Sequence, residues 1–173
     1  MRPTKRGIDI VAFAGRRLWS HVIMLRSLSR ASHVGILCEH DGVEYVIESL
    51  EGVGVRLVPF KRWKEWKGRI STYSIEGIFD EQRQAMIDEG MKLLGLQYAS
   101  PWQFLRSFGF ASRALMRRLG MRKDIETNRF FCSELVAHLI HKADIKLPKS
   151  PVEMTPGDVV SLPFVRPVVE RVK

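Results

Sequence analysis

The tetrapeptide Glu39-His40-Asp41-Gly42 separates two runs rich in β-forming residues, Ser32 to Cys38 and Val43 to Ser49. Asp-Gly between such runs favours the positive backbone torsions of a tight hairpin turn, so antiparallel pairing is expected. Strand side chains alternate faces with period two, and residues paired directly across share a face. If the whole tetrapeptide is loop, His33 lies opposite Glu48. If Asp41-Gly42 alone is the turn, Glu48 lies opposite Gly35 and still shares a face with His33. A three- or five-residue loop would break this parity and offer Ser49 instead. Both of the first two registers place an imidazole and a carboxylate on one face and send Cys38 to the other.

The rest of the chain alternates strands and helices. Ile8 to Phe13 reads as a short apolar strand, with helical spacing from Arg16 to Leu28. Gly54 to Val58, closed by Pro59, and Arg69 to Ile75 are two more strands. A helix is expected from near Asp80, with Arg83, Met86, Ile87, Gly90, Met91 and Leu94 on one stripe and Gly95 as its stop. Ser100-Pro101-Trp102-Gln103 carries the cap, first-turn proline and glutamine of a helix start, and a basic helical piece runs from Ser112 to Leu119. Lys61 to Lys67 mixes bases with Trp63 and Trp66; it reads as a connector whose aromatics cap the core, with stacking on bases or sugars as the alternative. Beyond residue 147 the chain holds five of its eight prolines, so an extended tail is expected, with a turn at Pro156-Gly157 and a last strand at Asp158 to Leu162. The whole reads as one α+β domain over residues 1–173, with a basic helical insertion around 101–123.

Two cysteines in 173 residues supply neither a disulfide framework nor a zinc ligand set. No cofactor motif or metal site is read; His138 and His141 are spaced i, i+3 without a third ligand and fit a helix face. The net charge of +9 suits a polyanionic partner such as a cell-wall polymer, an anionic lipid surface or, less favoured, nucleic acid. Ala12-Phe13-Ala14 imitates a signal cleavage site, but the preceding apolar stretch is short and contains Asp9. No run approaches the roughly 18 apolar residues of a membrane span. A cytoplasmic location is the default expectation, with carriage on a virion or a dedicated export system as the other routes.

Cys132 lies in Phe130-Phe131-Cys132-Ser133-Glu134-Leu135, where two aromatics run into an amphipathic helix. A thiol at a helix start feels the positive end of the macrodipole and the N–H groups there, which favours the thiolate. A buried packing cysteine is the plain alternative, as a satisfied core histidine is for His33 and a solvent-facing strand residue is for Glu48. Together, however, the three residues form a complete thiol-enzyme set. Cys132 would be the nucleophile, His33 its base, and Glu48 the group that orients the ring. Gly35, on the same face, would leave room for substrate.

The pieces Ser32-His33-Val34-Gly35-Ile36, Val46-Ile47-Glu48, Gly54-Val55-Arg56 and Phe131-Cys132-Ser133-Glu134-Leu135, in that order, resemble the circularly permuted NlpC-type papain-like family. That group includes the YiiX-like proteins and, more distantly, the lecithin retinol acyltransferases. The resemblance implies a small antiparallel sheet or partial barrel packed against the helix that carries the cysteine. It implies amide cleavage through an acyl-enzyme on a peptide or N-acyl amide, with a bacterial cell-wall stem peptide as the substrate class. It also places Tyr98 near the site, where its hydroxyl could donate to the oxyanion or substrate, a plain core tyrosine being the alternative. In such a mechanism the backbone N–H at Cys132, with Ser133 beside it, would contribute to the oxyanion hole. One alternative is a lipid or N-acyl hydrolase or acyltransferase, for which the basic stretch from Trp102 to Leu119 could lie on an anionic membrane. Another is a catalytically inactive basic module that binds nucleic acid or an assembly partner.

Overall fold

The computed structural model describes residues 1–4, 7–14, 31–65, 68–98 and 129–168. The strands are β1 (Ile10–Ala14), β2 (His33–His40), β3 (Val43–Leu50), β4 (Gly54–Pro59), β5 (Arg69–Ile75), β6 (Gln97–Tyr98), β7 (Arg129–Phe130) and β8 (Val165–Val168). The α-helices are α1 (Phe60–Lys64), α2 (Asp80–Lys92), α3 (Cys132–Lys142) and α4 (Pro156–Val160). Six strands form an open antiparallel sheet in the order β4-β3-β2-β1-β5-β8, while β6 and β7 pair in parallel beside it. The mixed α+β class expected from the hairpins and helices is therefore the class observed.

The β2–β3 hairpin uses Asp41-Gly42 alone as its turn: His40 pairs with Val43, and the ladder continues to Ile36 and Ile47. Both turn residues have positive φ, 48° and 78°, as this tight turn demands. β1 lies at the middle of the sheet and pairs with β2 and β5. The Ala12-Phe13-Ala14 segment that imitates a cleavage site is thus interior sheet.

Period-two alternation builds two cores. On one face Ile10, Ala12, Val34, Ile36, Cys38 and Ile47 pack with Met86 and Ile87 of α2 and with Leu135, Val136, Leu139 and Ile140 of α3. On the other, Val11, Phe13, Leu37, Val46 and Phe60 pack with Trp63. The tryptophan segment thus caps the core: the Trp63 ring centroid lies 4.3 Å from that of Phe13. Fully burying a Leu or Ile stabilises the fold by about 1.5–3 kcal/mol, so α3, with Leu135, Leu139 and Ile140 at zero exposure, is held firmly to the sheet.

The C-terminal expectation needs correcting. Residues 156–160 form α4, and the last strand is Val165–Val168. Thr155 Oγ1 accepts from the Asp158 N–H while the Asp158 carboxylate accepts from the Thr155 N–H, and Pro156 occupies the first helical position. Proline there is compatible with a helix because the first turn needs no donor from it. The expected helices at Arg16 to Leu28, after Ser100 and at Ser112 to Leu119, with the basic 101–123 segment, lie outside the described residues.

Asp9 ties the sheet to α2. Its buried carboxylate accepts from the Ile75 N–H at 2.7 Å and from Arg83 Nε at 2.9 Å, while the two Arg83 terminal nitrogens donate to the Ile78 and Ile75 carbonyls. Burial pushes the Asp9 carboxyl above its usual range against the pull of Ile75 and Arg83. Removing one partner from such a pair leaves a buried charge poorly compensated. Arg83→Ala is expected to cost about 3 kcal/mol, read as a lower urea midpoint at unchanged slope.

Candidate active site

His33 opens β2, on the face of the sheet away from α3. Its Nε2 lies 2.7 Å from Glu48 Oε2, across the hairpin. Continuing the observed register pairs Glu48 with Gly35, so the carboxylate reaches His33 diagonally, the second of the two expected arrangements. Ring centroids of Phe13 and Trp63 lie 5.5 and 6.0 Å from that of His33 and wall the imidazole on this face.

Gly35 has a different role from the one expected of it. A Cβ there would come within 2.5 Å of Val46 Cγ1, 2.9 Å of the Ile47 carbonyl oxygen and 3.3 Å of Glu48 Cβ. The missing side chain makes room for the neighbouring strand and for the base of Glu48 rather than for a substrate. Overpacking at such a point costs about 1–3 kcal/mol. Gly35→Ala should lower the melting temperature and weaken any Cys132-dependent activity, because Glu48 must shift from the imidazole.

Cys132 arrives from the other side of the sheet. Its helix packs on the face that carries Cys38, so Cys132 reaches His33 only because it begins α3, beside the start of β2. Four anchors set that beginning. Ser49, next to Glu48 on β3 but on the opposite face, donates its hydroxyl to the Phe130 carbonyl at 2.6 Å. Tyr98 of β6 pairs with Phe130 of β7, and the Phe131 N–H donates to Glu134 Oε2 at 3.4 Å. Ser133 Oγ donates to the Met154 carbonyl at 2.8 Å. That bond commits the Ser133 hydroxyl to the fold, so only its backbone N–H remains for chemistry. The Tyr98 side chain lies outside the described residues; its backbone stands two residues from Cys132 through the Phe130 pairing.

The sulfur and the ring lie close enough to act on one another, and each shifts the other. Burial raises the Cys132 thiol, but the charge and hydrogen bond of His33 and the N–H groups of Val34 and Ser133 outweigh it and hold the thiol below its usual value. Burial likewise opposes charging of His33, but the Cys132 thiolate and the Glu48 carboxylate outweigh it and hold the ring above its usual value. Both shifts favour a thiolate–imidazolium pair at neutral pH. With Nε2 committed to Glu48, Nδ1 is the nitrogen left for the sulfur. Cys38 behaves in the opposite way: it is fully buried, donates to the Tyr45 carbonyl at 3.6 Å, and burial pushes its thiol up to about 12.

Sequence reasoning missed Arg56. Its Nε and Nη2 both donate to Glu48 Oε1, at 2.9 and 2.7 Å, so the fully buried carboxylate holds His33 with one oxygen and Arg56 with the other. The β3–β4 register pairs Glu48 directly with Arg56. Opposite charges across a hairpin are a readable signal once the Leu50-to-Gly54 turn is placed. His138, expected on a helix face, has an acidic neighbour there: its Nε2 lies 3.5 Å from Glu89 of α2. Burial, which outweighs Glu89, holds His138 below its usual value, so its ring is mainly neutral near pH 7.

No protein-family model matches this chain, and no curated protein matches it. Its α+β fold, with the open six-stranded sheet, nevertheless has a solved counterpart. The chain is similar to the metalloprotein yiiX from Escherichia coli O157:H7, DUF1105, with a TM-score of 0.70 and 21% identity over 98% of each chain. At that identity the likeness is one of fold, and it extends over nearly the full length of both proteins.

Proposed function

We propose that this chain is a cysteine hydrolase that cleaves an amide bond through a Cys132 acyl-enzyme. One observation carries the reading: Cys132, His33 and Glu48 form a continuous chain of contacts, the thiol held low and the imidazole held high. The family resemblance of the segments around these residues to the permuted NlpC-type papain-like enzymes supports it.

In this mechanism the Cys132 thiolate attacks the carbonyl carbon and the carbonyl π electrons move onto oxygen. The Cys132 N–H, at the first position of α3 where the helix supplies no acceptor, donates to that oxyanion. Collapse breaks the C–N bond, and the His33 imidazolium gives its proton to the departing amine. Neutral His33 then takes a proton from water as the water attacks the thioester, and the carboxylic acid leaves with the thiolate restored. Glu48 keeps the ring oriented throughout.

For substrate, the resemblance favours a peptide of the bacterial cell wall, and the +9 charge suits an anionic wall. The membrane-surface reading rests on Trp102 to Leu119, outside the described residues, and no geometry favours it. Among the described residues no helix is long and apolar enough to cross a membrane. YiiX is described as a metalloprotein; here no group of three or more His, Cys, Asp or Glu among the described residues is arranged to hold a metal ion.

Iodoacetamide should modify Cys132 selectively at pH ~6.5, well below the ~8.5 of a free thiol, and Cys132→Ala should abolish the labelling. Equal labelling of wild type and Cys132→Ala, or modification of Cys38 alone, would overturn the enzyme reading. Digestion of purified peptidoglycan followed by mass spectrometry tests the substrate: wild type should release new amine-bearing fragments, with His33→Ala slower by about 10²–10⁴-fold. Absence of any Cys132-dependent fragment would sink the cell-wall assignment.

A further inference from the structure

The catalytic reading leaves one buried charge unexplained. Glu48 is completely enclosed, and His33 alone could have oriented itself against a neutral amide. Instead the carboxylate is clamped by two Arg56 nitrogens on one oxygen while the other meets the imidazole. The guanidinium side chain is 27% exposed, so one side of the arginine stays in contact with water while its Nε and Nη2 face the enclosed carboxylate. The result is an alternating line running from Arg56 on β4 through Glu48 on β3 and His33 on β2 to Cys132 on α3, with charges plus, minus, plus, minus. The groups that stack on the ring from β1 and α1, Phe13 and Trp63, carry no charge.

We propose that Arg56 is a positioning residue of this site, whose fixed charge balances the enclosed Glu48 carboxylate and so holds that carboxylate against His33 in support of the Cys132–His33 pair. The inference rests on the cysteine-hydrolase reading and adds a residue to it. Without Arg56 the line carries a net charge of −1 in a buried setting, where uncompensated charge is strongly disfavoured. Two relaxations are open. If the charge on Glu48 is lost, the imidazolium keeps only one of its two counter-charges and its support of the thiolate weakens. If Glu48 stays ionised, the thiolate faces an additional unbalanced anion. Both move thiolate formation to higher pH. The guanidinium suits this task because it remains charged throughout the accessible pH range and its fork fits a carboxylate.

The test is the pH profile of Cys132 alkylation by iodoacetamide, followed by intact mass on the full chain for wild type, Arg56→Gln and Arg56→Lys. Arg56→Gln should move the thiolate titration up by about one pH unit, so the rate near pH ~6 falls about 10-fold while the rates near pH ~9.5 converge to within about 2-fold. Arg56→Lys, which keeps the charge but loses the fork, should recover at least half of the shift. Superimposable profiles for wild type and Arg56→Gln would overturn the proposal. So would an even loss of rate at every pH with a lowered melting temperature, the mark of a merely structural arginine. Should Arg56→Gln fail to fold, Arg56→Met, equally uncharged and of similar length, takes its place: a profile superimposable on wild type overturns the proposal and an upward shift supports it. A wild-type Cys132 that titrates as an ordinary thiol near ~8.5 would defeat the hydrolase reading itself, an outcome distinct from failure of the Arg56 step.

Discussion

The Glu48 carboxylate is the point on which the described structure turns. It has no contact with water, so its charge must be compensated by the protein, and the two-residue turn at Asp41-Gly42 together with the β3–β4 pairing delivers both partners from adjacent strands. The sheet is thereby constrained in register as well as in topology. A slip of one residue in the β2–β3 hairpin would turn Glu48 toward the α3 face, and one in the β3–β4 hairpin would turn Arg56 away from it; either would leave a buried carboxylate short of its partners.

β3 also joins the two halves of the site. Glu48 faces the side of the sheet that carries Trp63 and Phe13, and fixes the ring of His33. Ser49, one residue on, faces α3 and fixes the carbonyl two residues before Cys132. One strand thus governs both the imidazole and the arm that presents the thiol, because successive strand residues point to opposite faces. The hydrophobic attachment of α3 supplies the holding energy, while these polar contacts supply the aim.

Much of this was legible from residue types and spacing. Asp-Gly marked the hairpin, and parity placed His33 with Glu48 and separated them from Cys38. The helix-start chemistry of Phe131 to Glu134 pointed to Cys132. What spacing left open was the route by which the cysteine approaches the imidazole. Cys38 shares the α3 face with the helix of Cys132, and Cys132 meets His33 only around the end of the strand. At Thr155-Pro156-Gly157-Asp158 the density of prolines suggests a turn, but the reciprocal Thr155–Asp158 pairing and the first-turn proline start a helix instead.

By itself the sequence determined the parity of the hairpin, the amphipathic helix behind Cys132 and the chemical identity of a thiol, an imidazole and a carboxylate. These follow from local periodicity and turn chemistry, which act over a few residues. Only the tertiary structure decided that Arg56 closes the charge on Glu48, that Ser133 spends its hydroxyl on Met154, that Gly35 makes way for its neighbouring strand and that the thiol reaches the imidazole past the end of β2. Each of these depends on how separate elements pack, and burial gives the contacts their weight by removing the water that would otherwise compensate a charge or satisfy a hydroxyl.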